Sequence, residues 1–215
     1  WAMFARSFGE SSSVQNENGW CLSGEITPSR YWKLFASIDL FSFPWWKYRI
    51  SKPSQGVDGM FQSIYSPKRN LSMYVNYRYK RKERDVAGTD GKVILPTYQH
   101  RLRYRLTYSP DYLQLRTTVD YNHFHSRGQE GSQGYQFTQS CSYAFSFPIK
   151  ISVQGTYFHT DDYDSRIYAS EKGLLYPFYT PSFYGQGFRF SACARYDVNK
   201  VFMFLVKFGQ TIYED

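Results

Sequence analysis

Hydrophobic and polar residues alternate with a period of two along most of the chain, and the 3.6-residue period of an amphipathic helix is hard to find. The clearest run is 70–80, in which apolar or aromatic residues stand at every second position from Leu71 to Tyr79. Because side chains point alternately to the two faces of a strand, this pattern predicts strands with one apolar face. Eleven strands are predicted: 1–8, 19–26, 31–43, 58–65, 70–80, 98–108, 113–122, 135–146, 151–157, 188–197 and 201–213.

The connections between these strands alternate between short and long ones. The short ones, rich in the turn formers Pro, Asp, Asn and Ser, are 27–30, 66–70, 109–111, 147–149 and 197–200. The long ones are 9–18, 44–57, 81–96, 126–134 and 160–186. Greek-key sandwiches mix connection lengths, whereas membrane barrels join short periplasmic turns to long outer loops. The sequence therefore predicts an all-β fold, a transmembrane up-and-down antiparallel β-barrel formed by a single domain over 1–215.

The parity of the strands predicts that the barrel needs more than these residues. If the short turns are periplasmic, strands 1–8 and 201–213 both run outward. Bacterial single-chain barrels have even strand numbers and close with an inward strand. We therefore expect twelve or more strands in the complete barrel, with this domain incomplete at one or both ends.

The composition favours a membrane surface. Aromatic residues make up 20% of the chain, with 21 Tyr and 18 Phe, while hydrophobic residues reach only 42%. Tyrosines cluster near strand ends, where interfacial girdles lie in barrels. No run approaches the roughly 20 apolar residues of a membrane helix. The net charge of +8 suggests a polyanionic partner such as nucleic acid, phospholipid or lipopolysaccharide. Cys21, Cys141 and Cys193 are too far apart to indicate a disulfide framework or a zinc site.

The polar face of each strand is predicted to line the barrel interior, and the apolar face to contact lipid. In 98–108, Leu102, Tyr104 and Leu106 then face lipid, while Arg101, Arg103 and Arg105 point inward, toward carboxylates such as Asp120 on the next strand. The predicted lumen-facing basic residues are Arg78, Arg101, Arg103, Arg105, Arg116, Arg189 and Arg195. The predicted lumen-facing acidic residues are Glu25, Asp39, Asp120 and Asp197. Three strands, 31–43, 58–65 and 201–213, read as apolar on both faces.

This interior has two interpretations. An electropositive lumen admits or binds anions, as charged rings do in pores. A packed interior instead pairs its arginines with carboxylates, which a narrow barrel favours. Nucleic acid is not an expected partner of this region, because the aromatic residues lie on the face opposite the arginines and offer no stacking beside them.

Few residues suggest catalysis or metal binding. His123 and His125 form an alternate-residue pair without a third ligand. Asp161, Asp162 and Asp164 are close in sequence, but the glycine and terminal glutamate of a calcium-binding EF-hand loop are missing. No serine or cysteine triad and no Gly-rich phosphate loop is recognisable. We expect a protein that is not an enzyme and has no cofactor and no metal.

The last quarter of the chain carries the most characteristic motifs. They are DSRIYASEKGLLY at 164–176, FYGQG at 183–187 and KFGQTIY at 207–213. Over about fifty residues this stretch resembles the C-terminal β-barrel region of Bacteroidota outer-membrane proteins known by their N-terminal helix-hairpin-helix domain. The resemblance implies the location and the barrel fold, together with a final strand after the GQTIY motif. It transfers no DNA-binding or catalytic residue.

The function expected from these observations is that of an outer-membrane β-barrel in a Gram-negative bacterium. It acts as an accessory or structural subunit of a larger outer-membrane complex. A small, porin-like, anion-preferring pore is the alternative, and a soluble all-β binding module is a second one. The expected partners are outer-membrane lipid, lipopolysaccharide and other outer-membrane proteins.

Overall fold

The computed structural model describes residues 16–46, 50–88, 91–128, 130–172, 181–199 and 201–214, and these residues form an all-β fold. The strands are β1 (Asn18–Ser29), β2 (Trp32–Phe43), β3 (Ser54–Lys68), β4 (Leu71–Gly88), β5 (Gly91–Tyr108), β6 (Leu113–Ser126), β7 (Ser132–Ala144), β8 (Ile149–Thr160), β9 (Ile167–Tyr168), β10 (Ser182–Phe183), β11 (Gln186–Asp197) and β12 (Met203–Tyr213). None of these residues belongs to a helix long and apolar enough to cross a membrane.

Ten strands form one antiparallel sheet in the order β1-β2-β3-β4-β5-β6-β7-β8-β11-β12. Each strand pairs with its neighbour along the chain, except that β9 and β10 form a separate two-stranded ribbon within the β8–β11 connection. The register places Cys141 of β7 beside Val153 of β8, Val153 beside Ala192 of β11, and Ala192 beside Phe208 of β12. An up-and-down meander therefore agrees with the predicted order of strands.

Among the residues that the structure describes, the first and last strands of the sheet do not pair with each other, so these residues do not close the sheet into a barrel. In the part of the chain that the structure describes, β1 and β12 are the two edges of the sheet. Both edges expose large apolar side chains, including Trp20 and Leu22 on β1 and Phe204 and Val206 on β12. The antiparallel meander is thus observed, whereas barrel closure is not.

The alternation of polar and apolar residues predicted the strands correctly, but one of the predicted connections is wrong. All ten strands predicted within the described residues are confirmed, and the predicted strand 1–8 lies outside them. The prediction that 81–96 is a loop is wrong, because β4 continues to Gly88 and β5 starts at Gly91. Ladder hydrogen bonds are made by the backbone, so a charged run can extend a strand. Within this extension the Thr97 hydroxyl also donates to the backbone carbonyl of Lys82, at 2.8 Å.

The described residues belong to two compact units. The first takes those in 16–63, 76–102 and 123–131, and its buried apolar residues are Phe41 and Phe43, whose rings meet edge to face. The second takes those in 64–75, 103–122 and 132–214, and its buried apolar residues include Phe158 and Phe183. These two rings stack with their centroids 4.5 Å apart.

The short connections are tight turns closed by the residue types that predicted them. Between β11 and β12, the side-chain oxygen of Asn199 accepts hydrogen bonds from the backbone amides of Val201 and Phe202, each at 2.8 Å. Between β5 and β6, the Leu113 amide donates to the carbonyl of Pro110 at 2.9 Å. Asparagine and proline thus fix the hairpins locally, as expected for turn residues.

Candidate functional site: the polar face of the sheet

The polarity of the sheet is inverted relative to an ordinary soluble fold. On β7, Gln136 is 2% exposed, while its neighbour Phe137 is 48% exposed. Across the described residues, the buried polar or charged side chains outnumber the buried hydrophobic ones, fifteen to six. The buried polar residues are Ser54, Asp58, Thr97, Thr118, Asp120, Asn122, Ser126, Ser132, Gln136, Thr138, Ser142, Thr156, Thr160, Ser165 and Ser191. The sheet therefore buries a polar face and exposes an aromatic one.

Within the second unit, part of the β8–β11 connection lies on this polar face. We call residues 161–172 and 181–185 the docked segment. Its backbone is held by side chains of the sheet: Asn122 Nδ2 donates to the carbonyl of Arg166 at 3.2 Å, and Arg103 Nη2 donates to that of Tyr168 at 3.2 Å. Ser165 and Ala169 are almost fully buried. The segment therefore fills space over the polar face with side chains and backbone.

A turn centred on Asp162 starts the docked segment. Its carboxylate accepts hydrogen bonds from the Ser132 hydroxyl at 2.5 Å and from the amides of Asp164 and Ser165 at 2.8 and 3.1 Å. Burial raises the pKa of Asp162, but these hydrogen bonds outweigh it and leave the pKa below its ordinary value. The neighbouring Asp161 accepts from the amide of Gln133 at 2.8 Å. These two carboxylates are thus used in holding the turn.

A buried carboxylate, that of Glu171, anchors the docked segment near the end of its first part, 161–172. Its side chain is 2% exposed and accepts hydrogen bonds from Arg189 on β11. Lys207 on β12 approaches the same carboxylate to 2.8 Å. Burial raises the pKa of Glu171, but the hydrogen bonds and charges of these two cations outweigh it, so the pKa lies below its ordinary value of 4.5.

A second group of interior polar residues connects β5, β6 and β7. Arg103 Nε donates to Asp120, and Gln136 Nε2 donates to the other carboxylate oxygen at 2.7 Å. The sequence predicted that Arg101, Arg103 and Arg105 point toward carboxylates such as Asp120, and the structure pairs Arg103 with Asp120. In the first unit a similar group forms on β3 and β4, where Asp58 accepts from Arg78 at 2.5 and 2.7 Å and lies 3.3 Å from Lys80.

The other residues that were predicted to face a lumen differ in how exposed their side chains are. Arg195 is exposed and pairs with Asp197 two residues along the same strand, at 2.9 Å. Glu25 is exposed on the edge strand β1, whereas Asp39 and Arg101 are half-buried. Arg105 and Arg116 are half-buried on the polar face of the second unit, where they line cavities.

Sequence reasoning missed three of the interior partners, namely Asp58, Glu171 and Lys207. Asp58 and Lys207 lie in strands that read as apolar on both faces, and Glu171 lies in a predicted loop. For Lys207, the strict alternation of β12 could have indicated which face it occupies. Lys207 lies on the same face of the strand as Met203, Leu205 and Gly209. Glu171 had no such signal, because the path of a loop has no sequence period.

Histidines lie in an aromatic row of the first unit. The rings of His100 and His123 stack with centroids 6.1 Å apart, and the Tyr77 hydroxyl lies 2.8 Å from His100 Nδ1. His125 stacks on Tyr98. Within the described ranges, no group of three or more His, Cys, Asp or Glu side chains is placed to hold a metal ion.

Comparison with protein-family models, with curated proteins and with solved structures gave no match. The resemblance to helix-hairpin-helix outer-membrane proteins stays a prediction. The function is therefore argued from the geometry of this chain.

The lowered pKa of Glu171 gives a pH-dependent prediction. Because the folded-state pKa is depressed, the stabilising effect of this carboxylate is fully present above its ordinary pKa of 4.5 and is lost as pH falls through the lower, folded-state value. The difference in free energy of unfolding between the wild type and Glu171→Gln is expected to shrink as pH falls below 4.5. Urea unfolding of both proteins between neutral and acidic pH measures it. A difference that stays constant over this range would contradict the ion-pair assignment.

Gly134 on β7 provides a test of segment docking. A Cβ at this position would lie 2.5 Å from the carbonyl oxygen of Ser165 and 3.3 Å from Ile167 Cδ1. Gly134→Ala is therefore expected to displace the docked segment and expose Arg166 to trypsin, which limited proteolysis measures. Gly24→Ala is the matched control, since a Cβ there meets no atom within 4 Å. Equal cleavage of both variants would show that the segment is not held against β7.

Proposed function

We propose that this chain is part of an outer-membrane β-barrel protein of a Gram-negative bacterium, and that it acts as an accessory or structural subunit of a larger outer-membrane complex. Outer-membrane lipid and lipopolysaccharide surround it, and other outer-membrane proteins are its partners. In this proposal it is not an enzyme, and it supports neighbouring proteins instead of catalysing a reaction.

The observation that carries the proposal is the inverted polarity of the sheet. Tyr135, Phe137 and Tyr143 on β7 are all more than two-fifths exposed, while Gln136, Thr138 and Ser142 on the same strand are buried. Water disfavours an extended aromatic surface, and patches larger than a few hundred Å² mark interfaces with proteins or membranes. Hydrocarbon accepts that surface, and transmembrane barrel strands have this apolar-out, polar-in pattern.

The docked segment favours a filled interior over an open pore. In the second unit, Ser165 and Phe183 of this segment are buried. The carboxylate of Glu171 also neutralises part of the basic charge of Arg189 and Lys207. An anion-conducting path needs unblocked space lined by available cations. A segment bound by backbone hydrogen bonds and buried ion pairs instead supports a packed, structural barrel.

If the chain were instead a soluble all-β binding module, a second layer of protein structure would have to cover the aromatic face. Phe188 and Phe190 on β11 are each more than two-fifths exposed. A soluble all-β domain buries such residues between two sheets. The described residues form one ten-stranded sheet and one two-stranded ribbon, and the ribbon contacts β7 from the polar side, where Ile167 approaches Gly134.

The proposal is tested by purifying the protein from bacterial membranes and reconstituting it in planar bilayers. We expect it in the outer-membrane fraction, soluble only with detergent, and giving no stable current. A stable, anion-selective current would contradict the structural role and favour the pore. A monodisperse protein in buffer without detergent would contradict the membrane assignment as a whole.

A further inference from the structure

A small polar cavity lies on the polar face of the second unit, beside the docked segment. Its volume is about 70 Å³. The hydroxyls of Ser140, Ser142 and Ser152 line it, together with Arg116 and Lys172. A smaller neighbouring cavity shares Arg116 and Ser140 and adds Arg105. Four cations of β5, β6 and the docked segment thus line the two cavities, and one of them, Arg103, is paired with Asp120.

Arg105, Arg116 and Lys172 differ from Arg103 because no carboxylate of a described residue bridges to them, and the charge of Asp120 acts on Arg105 only at longer range. In the part of the chain that the structure describes, none of the three forms an ion pair. The Nε donors of Arg105 and Arg116 are buried and have no acceptor among these residues. A buried donor that lacks an acceptor keeps the full cost of its desolvation, and this cost is larger when the donor is charged. The arrangement is therefore costly unless an anion completes it.

The nearby carboxylates are already engaged. Asp120 lines the smaller cavity but accepts from Arg103 and Gln136. Glu171 lines the larger cavity but is held by Arg189 and Lys207. The local charge therefore stays positive.

Lys172 lines the larger cavity and is itself exposed. Its Nζ donates to the hydroxyls of Ser142 and Ser152, at 2.5 and 3.1 Å. Burial, followed by the charges of Lys150 and Arg116, lowers its pKa. Lys172 and Arg116 therefore lie close enough for the charge of one to repel that of the other.

We propose that Arg105, Arg116 and Lys172 form a binding site for a small oxyanion, a free phosphate or a group of the same chemistry. Guanidinium groups match the oxygens of phosphate with their forked N–H donors, and serine hydroxyls add further donors. The cavity is far smaller than the roughly 300–1,000 Å³ of a drug-sized ligand site. Its described lining contains no aromatic ring, so a nucleobase has no stacking partner there.

This site does not depend on membrane insertion, because it requires only the polar face and the docked segment. The choice of a soluble anion does rest on the proposed function: with lipid against the aromatic face, the sheet separates lipid phosphates from the site. The site therefore takes a soluble anion, and the experiment includes a lipid arm to separate the two sources.

The test is calorimetric titration of the purified protein in detergent with inorganic phosphate, at constant ionic strength set by chloride. Arg116→Gln is expected to weaken phosphate binding about tenfold or more, since it removes charge-assisted hydrogen bonds. Lys172→Gln weakens it as well. Arg69→Gln, at the exposed turn between β3 and β4, is the matched control and binds as the wild type does. Equal phosphate affinity in the wild type and Arg116→Gln would overturn the proposal.

Cys193 lines the larger cavity and gives a second readout that needs no change in the cations. In a protein with Cys21 and Cys141 replaced by serine, phosphate is expected to slow the reaction of Cys193 with a neutral maleimide. Vesicles containing phosphatidic acid are the lipid arm and are expected to have no such effect. Protection by the lipid alone, or no protection by phosphate, would overturn the assignment of a soluble anion.

Discussion

Glu171→Gln is expected to lower the free energy of unfolding by about 3 kcal/mol, because removing one partner of a buried ion pair leaves the other charges uncompensated. The side chain of Glu171 is 2% exposed, and its partners Arg189 and Lys207 are 17% and 22% exposed. The amide keeps the shape of the carboxylate but removes its charge and turns one acceptor oxygen into an NH2 donor. Urea unfolding in detergent at neutral pH measures the effect.

The matched control is Asp197→Asn, which removes an acid from an exposed ion pair. Its side chain is 42% exposed and that of Arg195 is 48% exposed. Exposed pairs contribute at most about 1 kcal/mol, so this variant is expected to stay within that range of the wild type. Equal losses in the two variants would mean that the carboxylate of Glu171 does not anchor the docked segment.

Phe137→Arg has the second large expected effect. Phe137 is 48% exposed near the middle of β7, on the aromatic face. An arginine on the lipid face of a barrel costs about 2–4 kcal/mol near the bilayer midplane and about 0–1 kcal/mol near the interfaces. We expect the larger cost, measured as the free energy of unfolding from lipid vesicles. The same residue in water would tolerate arginine with little change.

Tyr112→Arg is the matched control for the depth of the substituted residue in the bilayer. Tyr112 is 61% exposed in the turn between β5 and β6, so the same type of substitution is made outside the strands. We expect a cost of at most about 1 kcal/mol. Similar costs at the two positions would indicate that the aromatic face does not lie in a bilayer.

The strands were predictable from sequence because one face of each strand differs in polarity from the other. In β7, apolar Tyr135 and Phe137 alternate with Gln136 and Thr138, and this period of two is a local property. Turn residues such as Asn199 are local signals too. The order of strands follows, because tight turns force consecutive strands to pair as antiparallel neighbours.

The remaining features depend on contacts between residues distant in sequence. The strand extension to Gly88 was missed because charged side chains replace the apolar row there, although the backbone ladder continues. The partners of the interior arginines were predictable where both lie on adjacent strands, as with Arg103 and Asp120. Glu171 reaches Arg189 from a connection, and only the folded path of that connection brings them together.

The central claim is that the aromatic face of the sheet contacts lipid. It is tested most directly with a fluorophore attached to a single cysteine at position 137 or 112, in protein reconstituted in vesicles with the native cysteines replaced by serine. We predict quenching of the label at 137 by lipids brominated on their acyl chains, and quenching of the label at 112 by iodide in the buffer. Quenching of the label at 137 by iodide, as strong as at 112, would contradict the account.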